Sequence, residues 1–293
     1  MDEQFLDVGP VRLCYDVQGE ECNPTVVLVM GLNLQLVWWR DDFVQQLLDR
    51  GLRVVRFDNR DVGRSSAIPQ RGITVWQFLR RKADPAYTLS DMADDTAALI
   101  AHVAPHGAHV VGASLGSFIA QETAIRHPDK VLSLTSIMGR TGDRKNGKVA
   151  WSQRAGFFRP APASPEAAAE QMVQVFHKMG SVNRTDQDDE DVRVAMRRSD
   201  SRGGGGPGQM VAILAERDRT PDLRSLTLPA LVVHGDRDKV VLPSGGRMTA
   251  EAIPGAELMM VAGMGHDLPR WLWPQLVDGI VRTVERATAH RKP

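Results

Sequence analysis

Residues 109–118 read HVVGASLGSF, and this stretch decides the fold that the sequence predicts. Two valines run into a serine bracketed by Gly112 and Gly116, and a helical pattern follows. A G-x-S-x-G sequence between a strand and a helix is typical of a sharp turn that holds a nucleophilic serine above a sheet. The alternative is an ordinary connection between a strand and a helix, in which the glycines only allow the chain to turn. Ser114 is therefore a candidate nucleophile only if the chain also supplies a base and a carboxylate.

The segments on either side of this stretch alternate between apolar runs and helical patterns. Continuous apolar runs predict buried strands at 25–31, 52–58, 108–112, 131–138, 230–236 and 257–263. Apolar residues at helical spacing predict helices at 88–107, 115–126 and 273–287, and another that follows Asp41 or Asp42 as its N-cap. Thr88 and Asp91 predict a capping box, and residues 11–18 an antiparallel edge hairpin. Repeated β–α units predict an α/β fold, with a mostly parallel central sheet flanked by helices.

One segment interrupts this alternation between the predicted strands at 131–138 and 230–236. Residues 140–224 are rich in Pro, Ala and charge, and helical patterns occur there at 164–179, 188–199 and 209–218. We expect residues 1–139 and 225–293 to form the core and residues 140–224 to form a helical lid over the strand ends. The alternative is a separate small domain that serves assembly.

Composition narrows the class of protein. The 293 residues contain 36 Lys and Arg and 36 Asp and Glu, so the formal net charge is zero. Nothing in this balance favours binding to nucleic acid or to an anionic membrane. Two cysteines cannot build a disulfide framework, and no signal peptide or spanning apolar run is evident. We expect a cytoplasmic protein, monomeric or homodimeric, that acts on a small molecule.

A serine nucleophile needs a histidine base, and the base needs a carboxylate that fixes its tautomer. His266 in VAGMGHDLP follows a predicted strand in a glycine-rich loop, so it is the candidate base. Asp238 in VVHGDRDKVVLP stands in G-x-x-D spacing from Gly235 at another strand end, where catalytic groups gather in open α/β sheets. Asp236 is expected to brace the turn, and Asp267 to be a loop residue. The predicted order is Ser114, Asp238, His266.

The other histidines are predicted to have structural roles. His234 lies inside a predicted strand and is expected to pack or to support the site, while His127 is expected to end a helix. The remaining histidines fall on predicted helices or exposed ends: His102, His106, His109, His177 and His290. No metal-ligand spacing such as H-E-x-x-H occurs, so we expect no metal and no cofactor.

The developing oxyanion needs backbone donors. The N–H of Leu115 directly follows the candidate nucleophile, and the N–H of Leu32 follows Gly31 in VMGLNLQLVWW. We expect these two groups to form the oxyanion hole. An apolar roof is expected from methionines of the inserted segment and from Trp38, Trp39, Met138, Phe157 and Phe158.

Three further stretches carry a family resemblance. VLVMGLN with a following Trp, RVVRFDNRDVGRS and AGMGHDLP resemble the α/β-hydrolase superfamily, and within it the aclacinomycin methylesterase group of bacterial esterases. The pair Met30-Gly31 stands where many hydrolases have His-Gly, a replacement that this group shares. Asp58, Arg60, Gly63 and Ser65 match the superfamily turn D-x-R-G-x-G-x-S, which is structural, and Asp61 and Val62 stand where many members have Gly and x. The resemblance implies hydrolysis of a carboxylic ester, including a methyl ester on a bulky aromatic polyketide, with Ser114, Asp238 and His266 at the triad positions.

Several activities use the same triad and stay open at this point. They are lactonase, thioesterase, carbon–carbon hydrolase and cofactor-free perhydrolase activity. A serine at position 114 excludes the haloalkane dehalogenase and epoxide hydrolase reactions, which use an aspartate nucleophile on a similar fold. A different class of function is a non-catalytic ligand receptor, because a fold does not imply an activity.

Overall fold

A single sheet organises the part of the chain that this computed structural model describes. That part comprises residues 2–72, 74, 84–148, 163–200 and 205–290. Its strands are β1 Gln4–Val8, β2 Val11–Gln18, β3 Thr25–Val29, β4 Arg53–Phe57, β5 Ala108–Ala113, β6 Val131–Ile137, β7 Ala230–Gly235 and β8 Glu257–Val261. Their order across the sheet is β1-β2-β4-β3-β5-β6-β7-β8.

The six strands from β4 to β8 in this order are parallel to one another. Val29 of β3 lies opposite Gly112 of β5, which lies opposite Ser136 of β6. The carboxyl ends of these strands therefore line up, and the loops that follow them meet at one edge of the sheet. The predicted antiparallel hairpin is confirmed, since β1 pairs with β2 and β2 pairs antiparallel with β4.

The described residues also form helices. They are α1 Asp41–Leu48, α2 Leu89–Val103, α3 Leu115–Arg126, α4 Pro165–Met179, α5 Asp186–Asp200, α6 Gly208–Leu214, α7 Thr220–Leu223, α8 Ser244–Ala252 and α9 Trp273–His290. Short 3-10 turns lie at Leu36–Trp38 and Arg270–Leu272. No helix in the described ranges is both long and apolar enough to cross a bilayer.

The starts of two helices show how far local sequence controls these elements. The predicted capping box is confirmed at α2, where Thr88 accepts from the backbone N–H of Asp91 and the Asp91 carboxylate accepts from that of Thr88. At α1 the prediction is wrong, because the N-cap is Arg40 and no side chain caps the helix. Asp41 and Asp42 lie instead in the first turn, where negative charge interacts favourably with the helix dipole.

The core lies on both faces of the sheet. Every residue of β3 is buried, and alternate side chains enter different clusters. Val27 and Val29 pack under α2 and α3, in a cluster that includes Ile100. Val26 and Leu28 pack in the cluster on the opposite face. Burial on both faces explains why β3 is a continuous apolar run rather than an alternating one.

Helices α4–α7, called the inserted helices below, come between β6 and β7 in the chain. They contact the loop that follows β3. Gln209 of α6 accepts from the N–H of Asn33 at 2.7 Å, and the indole N–H of Trp38 donates to Ser199 of α5 at 3.1 Å. The inserted helices therefore lie against loops at the carboxyl edge of the sheet.

Candidate active site

Ser114 lies on the sharp turn between β5 and α3. Its φ is +55° and its ψ is −119°, a conformation that non-glycine residues rarely adopt. The N–H of Ser114 donates to the carbonyl of Ile137 at 2.9 Å, which ties the turn to the end of the neighbouring strand. A strained turn of this kind projects the serine side chain away from both the strand and the helix.

The two glycines of the motif are required by close backbone contacts. A Cβ on Gly112 would lie 2.1 Å from the carbonyl oxygen of Gly116. A Cβ on Gly116 would lie 2.0 Å from the carbonyl oxygen of Val29 in β3. Real Cβ atoms essentially never come so near to another atom, so any larger residue would force strand and helix apart. The G-x-S-x-G spacing therefore reflects packing on both sides of Ser114.

The structure brings the three predicted polar residues together from three loops. Ser114 Oγ lies 2.9 Å from His266 Nε2, and His266 Nδ1 lies 2.7 Å from Asp238 Oδ2. The loops follow β5, β8 and β7 respectively, at the shared carboxyl edge of the sheet. Asp236, the neighbouring acid, accepts from the N–H of Gly263 at 2.7 Å and makes no such contact. This bond joins the turn after β7 to the loop after β8, so the contact of Asp236 is structural and does not involve His266.

Asp238 is held in place by more than the histidine. Its Oδ1 accepts from the backbone N–H groups of Val240 and Val241 at 2.8 and 2.9 Å. His234 Nε2 donates to the carbonyl of Val241 at 2.8 Å and lies 3.4 Å from Asp238 Oδ2. Burial alone would raise the pKa of Asp238, but the charge of His266 and hydrogen bonds from His234 and His266 outweigh it and hold the pKa far below its ordinary value. The carboxylate is thus ionised at neutral pH.

The sequence singles out the backbone N–H groups of two residues, of which Leu32 lines the same cavity as Ser114 and Leu115 directly follows Ser114 in the chain. Neither the N–H of Leu32 nor that of Leu115 donates to a protein acceptor among the described residues. Leu115 is the first residue of α3, where N–H groups have no partner within the helix. Gly31, next to Leu32, is so near the turn that a Cβ there would lie 3.3 Å from Ser114 Cβ.

A cavity of about 390 Å³ opens onto Ser114 and His266. Trp38 and Met138 line it, as do Met172 and Phe176 of α4. The prediction for Trp39 is wrong, because this side chain is buried in the core and stacks on Phe43 with ring centroids 5.6 Å apart. The two remaining predicted pocket residues, Phe157 and Phe158, lie outside the described residues.

Asp267 has a larger role than the sequence predicted for it. Instead of being a plain loop residue it is buried, and it accepts hydrogen bonds from Ser181 and Arg184 of the inserted segment. The contacts join residues more than 80 positions apart, so no local pattern signals them. The prediction for His109 is also wrong, since it is buried in β5 with Nδ1 2.8 Å from Ser133 Oγ.

Within the described ranges, no cluster of three or more His, Cys, Asp or Glu side chains is arranged to hold a metal ion. The groups at the site are a hydroxyl, an imidazole, a carboxylate and two backbone N–H donors. Together they can deprotonate a hydroxyl, attack a carbonyl carbon and stabilise the resulting oxyanion.

Comparison with known proteins identifies the family. A family model described as alpha/beta hydrolase fold matches residues 24–269. The chain belongs to the α/β-hydrolase family. It is 26% identical to the rhodomycin D methylesterase of Streptomyces peucetius over 314 aligned residues, covering 98% of this chain and 100% of that one. The predicted fold class is thereby confirmed, as is the resemblance to the aclacinomycin methylesterase group.

Solved structures share this fold over nearly the whole chain. The esterase RhEst1 from Rhodococcus sp. ECU1013 has a TM-score of 0.76 at 21% identity, covering 97% of this chain and 99% of that one. The enol-lactonase from Burkholderia xenovorans LB400 has a TM-score of 0.71 at 20% identity, covering 96% of this chain and 100% of that one. At such low identity these likenesses are evidence of a common fold.

Proposed function

We propose that this member of the α/β-hydrolase family is a carboxylic ester hydrolase that works through an acyl-enzyme. Ser114 is the nucleophile, His266 the general base and acid, and Asp238 the carboxylate that orients His266. The observation that carries the proposal is the continuous chain of contacts, 2.9 Å from Ser114 Oγ to His266 Nε2 and 2.7 Å from His266 Nδ1 to Asp238 Oδ2. These distances lie within the range that proton transfer requires.

The first half of the reaction forms the acyl-enzyme. His266 Nε2 takes the proton of Ser114 as Oγ attacks the carbonyl carbon of the ester. The carbonyl oxygen becomes an oxyanion, and the N–H groups of Leu32 and Leu115 donate to it. Because Asp238 is ionised, it stabilises the imidazolium that forms. His266 then returns the proton to the alkoxide leaving group, and the alcohol departs.

The second half regenerates the enzyme. A water molecule enters the place of the alcohol, and His266 takes one of its protons as the oxygen attacks the acyl carbonyl. The same two N–H groups stabilise the second oxyanion. Its collapse breaks the bond to Ser114 Oγ, which recovers a proton from His266, and the carboxylic acid is released.

The cavity favours a bulky apolar acyl part. Its volume of about 390 Å³ falls in the range of small-molecule sites. Four of the lining side chains are methionines, Met30, Met138, Met172 and Met179, whose flexible thioethers adapt to irregular apolar ligands. The similarity to a methylesterase along nearly the full chain supports a small alcohol part. We therefore favour a methyl ester on a bulky hydrophobic or aromatic substrate.

The inserted segment 140–224 acts as a lid in this proposal, on a core formed by 1–139 and 225–293. Side chains from α4 and α5, among them Phe176 and Val192, form part of the cavity wall. Trp38 from the core packs on Phe176 with ring centroids 5.9 Å apart. Both parts of the chain thus contribute to the surface that would contact the acyl group.

A fluorophosphonate probe tests the nucleophile. We expect covalent labelling at Ser114, and Ser114→Ala should abolish labelling and lower kcat on a short p-nitrophenyl ester by about 10³-fold or more. Ser225→Ala is the matched control, because Ser225 is exposed and bonds only to the carbonyl of Asp222 among the described residues. Folded protein that resists the probe would point to the non-catalytic receptor alternative and overturn the proposal.

A substrate panel tests the reaction class. Methyl esters of bulky apolar acids, short-chain esters, lactones and thioesters are compared by kcat/KM, and a perhydrolase assay is run with peroxide. We expect the highest kcat/KM on methyl esters with an apolar acyl part. A preference for lactones or thioesters by tenfold or more, about 1.4 kcal/mol of transition-state binding, would reassign the activity while keeping the triad.

A further inference from the structure

The turn between α4 and α5 lies directly against the loop that carries His266. The N–H of His266 itself donates to the carbonyl of Met179, the last residue of α4, at 2.8 Å. The N–H of Val182 donates in the opposite direction, to the carbonyl of Gly263 at 2.8 Å. Two backbone hydrogen bonds thus join the inserted helices to the candidate catalytic loop, one of them at the histidine.

Ser181 links the same two segments through its side chain. Its Oγ donates to Asp267 Oδ1 at 2.5 Å and accepts from the N–H of Gly265 at 3.0 Å. Its N–H also donates to Asp267 Oδ1, at 2.8 Å. Ser181 and Asp267 are both buried, so these bonds are not exposed to competition from bulk water. The residues that Ser181 contacts lie immediately before and after His266.

Arg184 supplies the positive charge that pairs with Asp267 in this contact. Its guanidinium pairs with Asp267 and, at 3.0 Å, with Asp189 of α5. It also lies over the Phe176 ring, 5.4 Å from the centroid. The buried negative charge of Asp267 is therefore neutralised from the inserted segment and not from the core.

The two segments also touch through their backbones. A Cβ on Gly265 would lie 2.2 Å from the carbonyl carbon and oxygen of Gly180, so nothing larger than hydrogen fits between them. Separation of the two segments at this contact would lengthen the hydrogen bonds that cross it.

From this geometry we infer that Ser181 is a positioning residue for His266, and that the α4–α5 turn and the His266 loop move as one unit. The inference rests on the proposed function of His266. Moving this turn away from the strand ends would draw His266 away from Ser114 and break their 2.9 Å contact. Access to the cavity then arises without opening at this turn, which acts as a fixed anchor. Lifting the anchor would inactivate the triad.

Ser181→Ala tests the positioning role. Removing the hydroxyl leaves the Gly265 N–H without its acceptor and loosens the loop on both sides of His266. Because a displacement of about 1 Å can cost about 100-fold in rate, we expect kcat to fall 10- to 100-fold with KM nearly unchanged. The rate of fluorophosphonate labelling at Ser114 should fall by a similar factor, and Ser181→Thr, which keeps the hydroxyl, should recover part of it.

Ser164→Ala is the matched control. Ser164 caps the other end of the same helix by accepting from the N–H of Ala167 at 3.2 Å. The substitution removes one hydroxyl and the hydrogen bond that caps the helix, and it does not change any contact of the His266 loop. Equal losses in the two variants, or unchanged kcat and labelling in Ser181→Ala, would overturn the positioning role. Wild-type labelling is measured first, since its absence would reject the proposed function itself.

A reversible cross-link tests the shared motion. A Cβ on Gly263 would lie 4.0 Å from Val182 Cβ, which is a distance that a disulfide spans. The variant carries Val182→Cys and Gly263→Cys, with Cys22→Ser to remove the exposed native thiol. The oxidised and reduced forms of this one protein are compared, so the backbone strain that a side chain causes at Gly263, where φ is +78°, is the same in both forms. We expect equal kcat in both forms. Turnover that oxidation abolishes and reductant restores would show that the two segments separate during catalysis, against the inference.

Discussion

At the scale of single residues, the site separates two carboxylates that are only two positions apart. Asp238 Oδ2 contacts His266 Nδ1, whereas exposed Asp236 accepts only from the N–H of Gly263 among the described residues. Sequence spacing alone gives no physical reason for that division. The reason lies in the turn after β7, where the N–H groups of Val240 and Val241 point at Asp238 and fix its carboxylate toward the histidine.

This difference predicts unequal effects of two identical substitutions. In Asp238→Asn, the amide NH₂ takes the place of Oδ2 and donates a hydrogen bond to His266 Nδ1. The ring proton then lies on Nε2, the nitrogen that must accept the proton of Ser114. We expect kcat to fall by about 10³- to 10⁴-fold. Asp236→Asn keeps an oxygen acceptor for Gly263 and should retain nearly all of the wild-type kcat. Steady-state kinetics with a p-nitrophenyl ester decide this, and a larger loss at Asp236 would exchange the two assignments.

At the scale of elements, Asp58 joins the end of β4 to two turns. Its Oδ1 accepts from the N–H of Leu36 at 2.7 Å, and its Oδ2 accepts from the N–H of Arg64 at 3.0 Å. A Cβ on Gly63 would lie 2.2 Å from Asp58 Oδ2, so the turn closes tightly around the carboxyl group. Burial raises the pKa of Asp58 to about 6, and the hydrogen bonds from Arg64 and Leu36 only partly oppose it.

A raised pKa of this buried acid makes folding pH-dependent. Below pH 4 the group is protonated in both the folded and the unfolded chain, and its contribution to stability is fully present. Between about pH 4 and 6 the unfolded chain loses this proton first, so the contribution declines as the pH rises. The difference between about 6 and the ordinary 3.8 corresponds to about 3 kcal/mol.

Asp58→Asn should remove this decline in stability between pH 4 and 6. Urea unfolding at several pH values gives the free energy of unfolding of both proteins, and all other titrating groups cancel in the comparison. The variant is expected to be less stable throughout, because an amide offers only one oxygen to the two N–H donors. The difference in free energy of unfolding between wild type and variant should shrink as the pH rises from 4 to 6. A difference that stays constant across this range would show that the pKa of Asp58 is not raised.

The elements also show where sequence-based prediction succeeds and where it ends. The capping box of Thr88 and Asp91 is predictable because all its atoms come from four consecutive residues. The bounds of α3 are predicted correctly, since the glycine turn before it and His127-Pro128 after it are local signals. The contact of Ser181 with Asp267 joins positions 86 apart. Such contacts depend on how the inserted helices dock, which no local spacing encodes.

At the scale of the whole molecule, ionic contacts fasten the inserted helices to the core. Arg270, in the 3-10 turn before α9, makes a bidentate pair with Asp191 of α5, at 2.5 and 2.9 Å. The same guanidinium reaches Asp42 of α1 at 2.8 Å, and the N–H of Arg270 donates to Asp188 at 2.9 Å. One residue therefore bridges three segments of the chain. A bidentate, bridging arginine holds its partners more firmly than an isolated surface pair does.

Arg270→Met should loosen α5 without unfolding the core. The methionine keeps much of the apolar stem but leaves Asp191 without its bidentate partner. We expect faster amide hydrogen exchange across Asp186–Asp200 and unchanged exchange in Leu115–Arg126, because locally opening segments exchange independently of the global core. High salt should produce a weaker version of the same effect in the wild-type protein, since it screens partly exposed charges.

Arg193→Met is the matched control for this experiment. Arg193 also makes a bidentate pair, with Glu170 of α4 at 2.5 and 3.3 Å, but both residues belong to the inserted helices. Its loss weakens contacts among the inserted helices and leaves their attachment to the core intact. Faster exchange of α5 only in Arg270→Met would locate the attachment at Arg270. Equally faster exchange in both variants would mean that loss of either ion pair loosens α5, with no special role for Arg270. Exchange in Arg270→Met that matches wild type would mean that apolar contacts, such as Trp38 against Phe176 of α4, hold the inserted helices to the core without it.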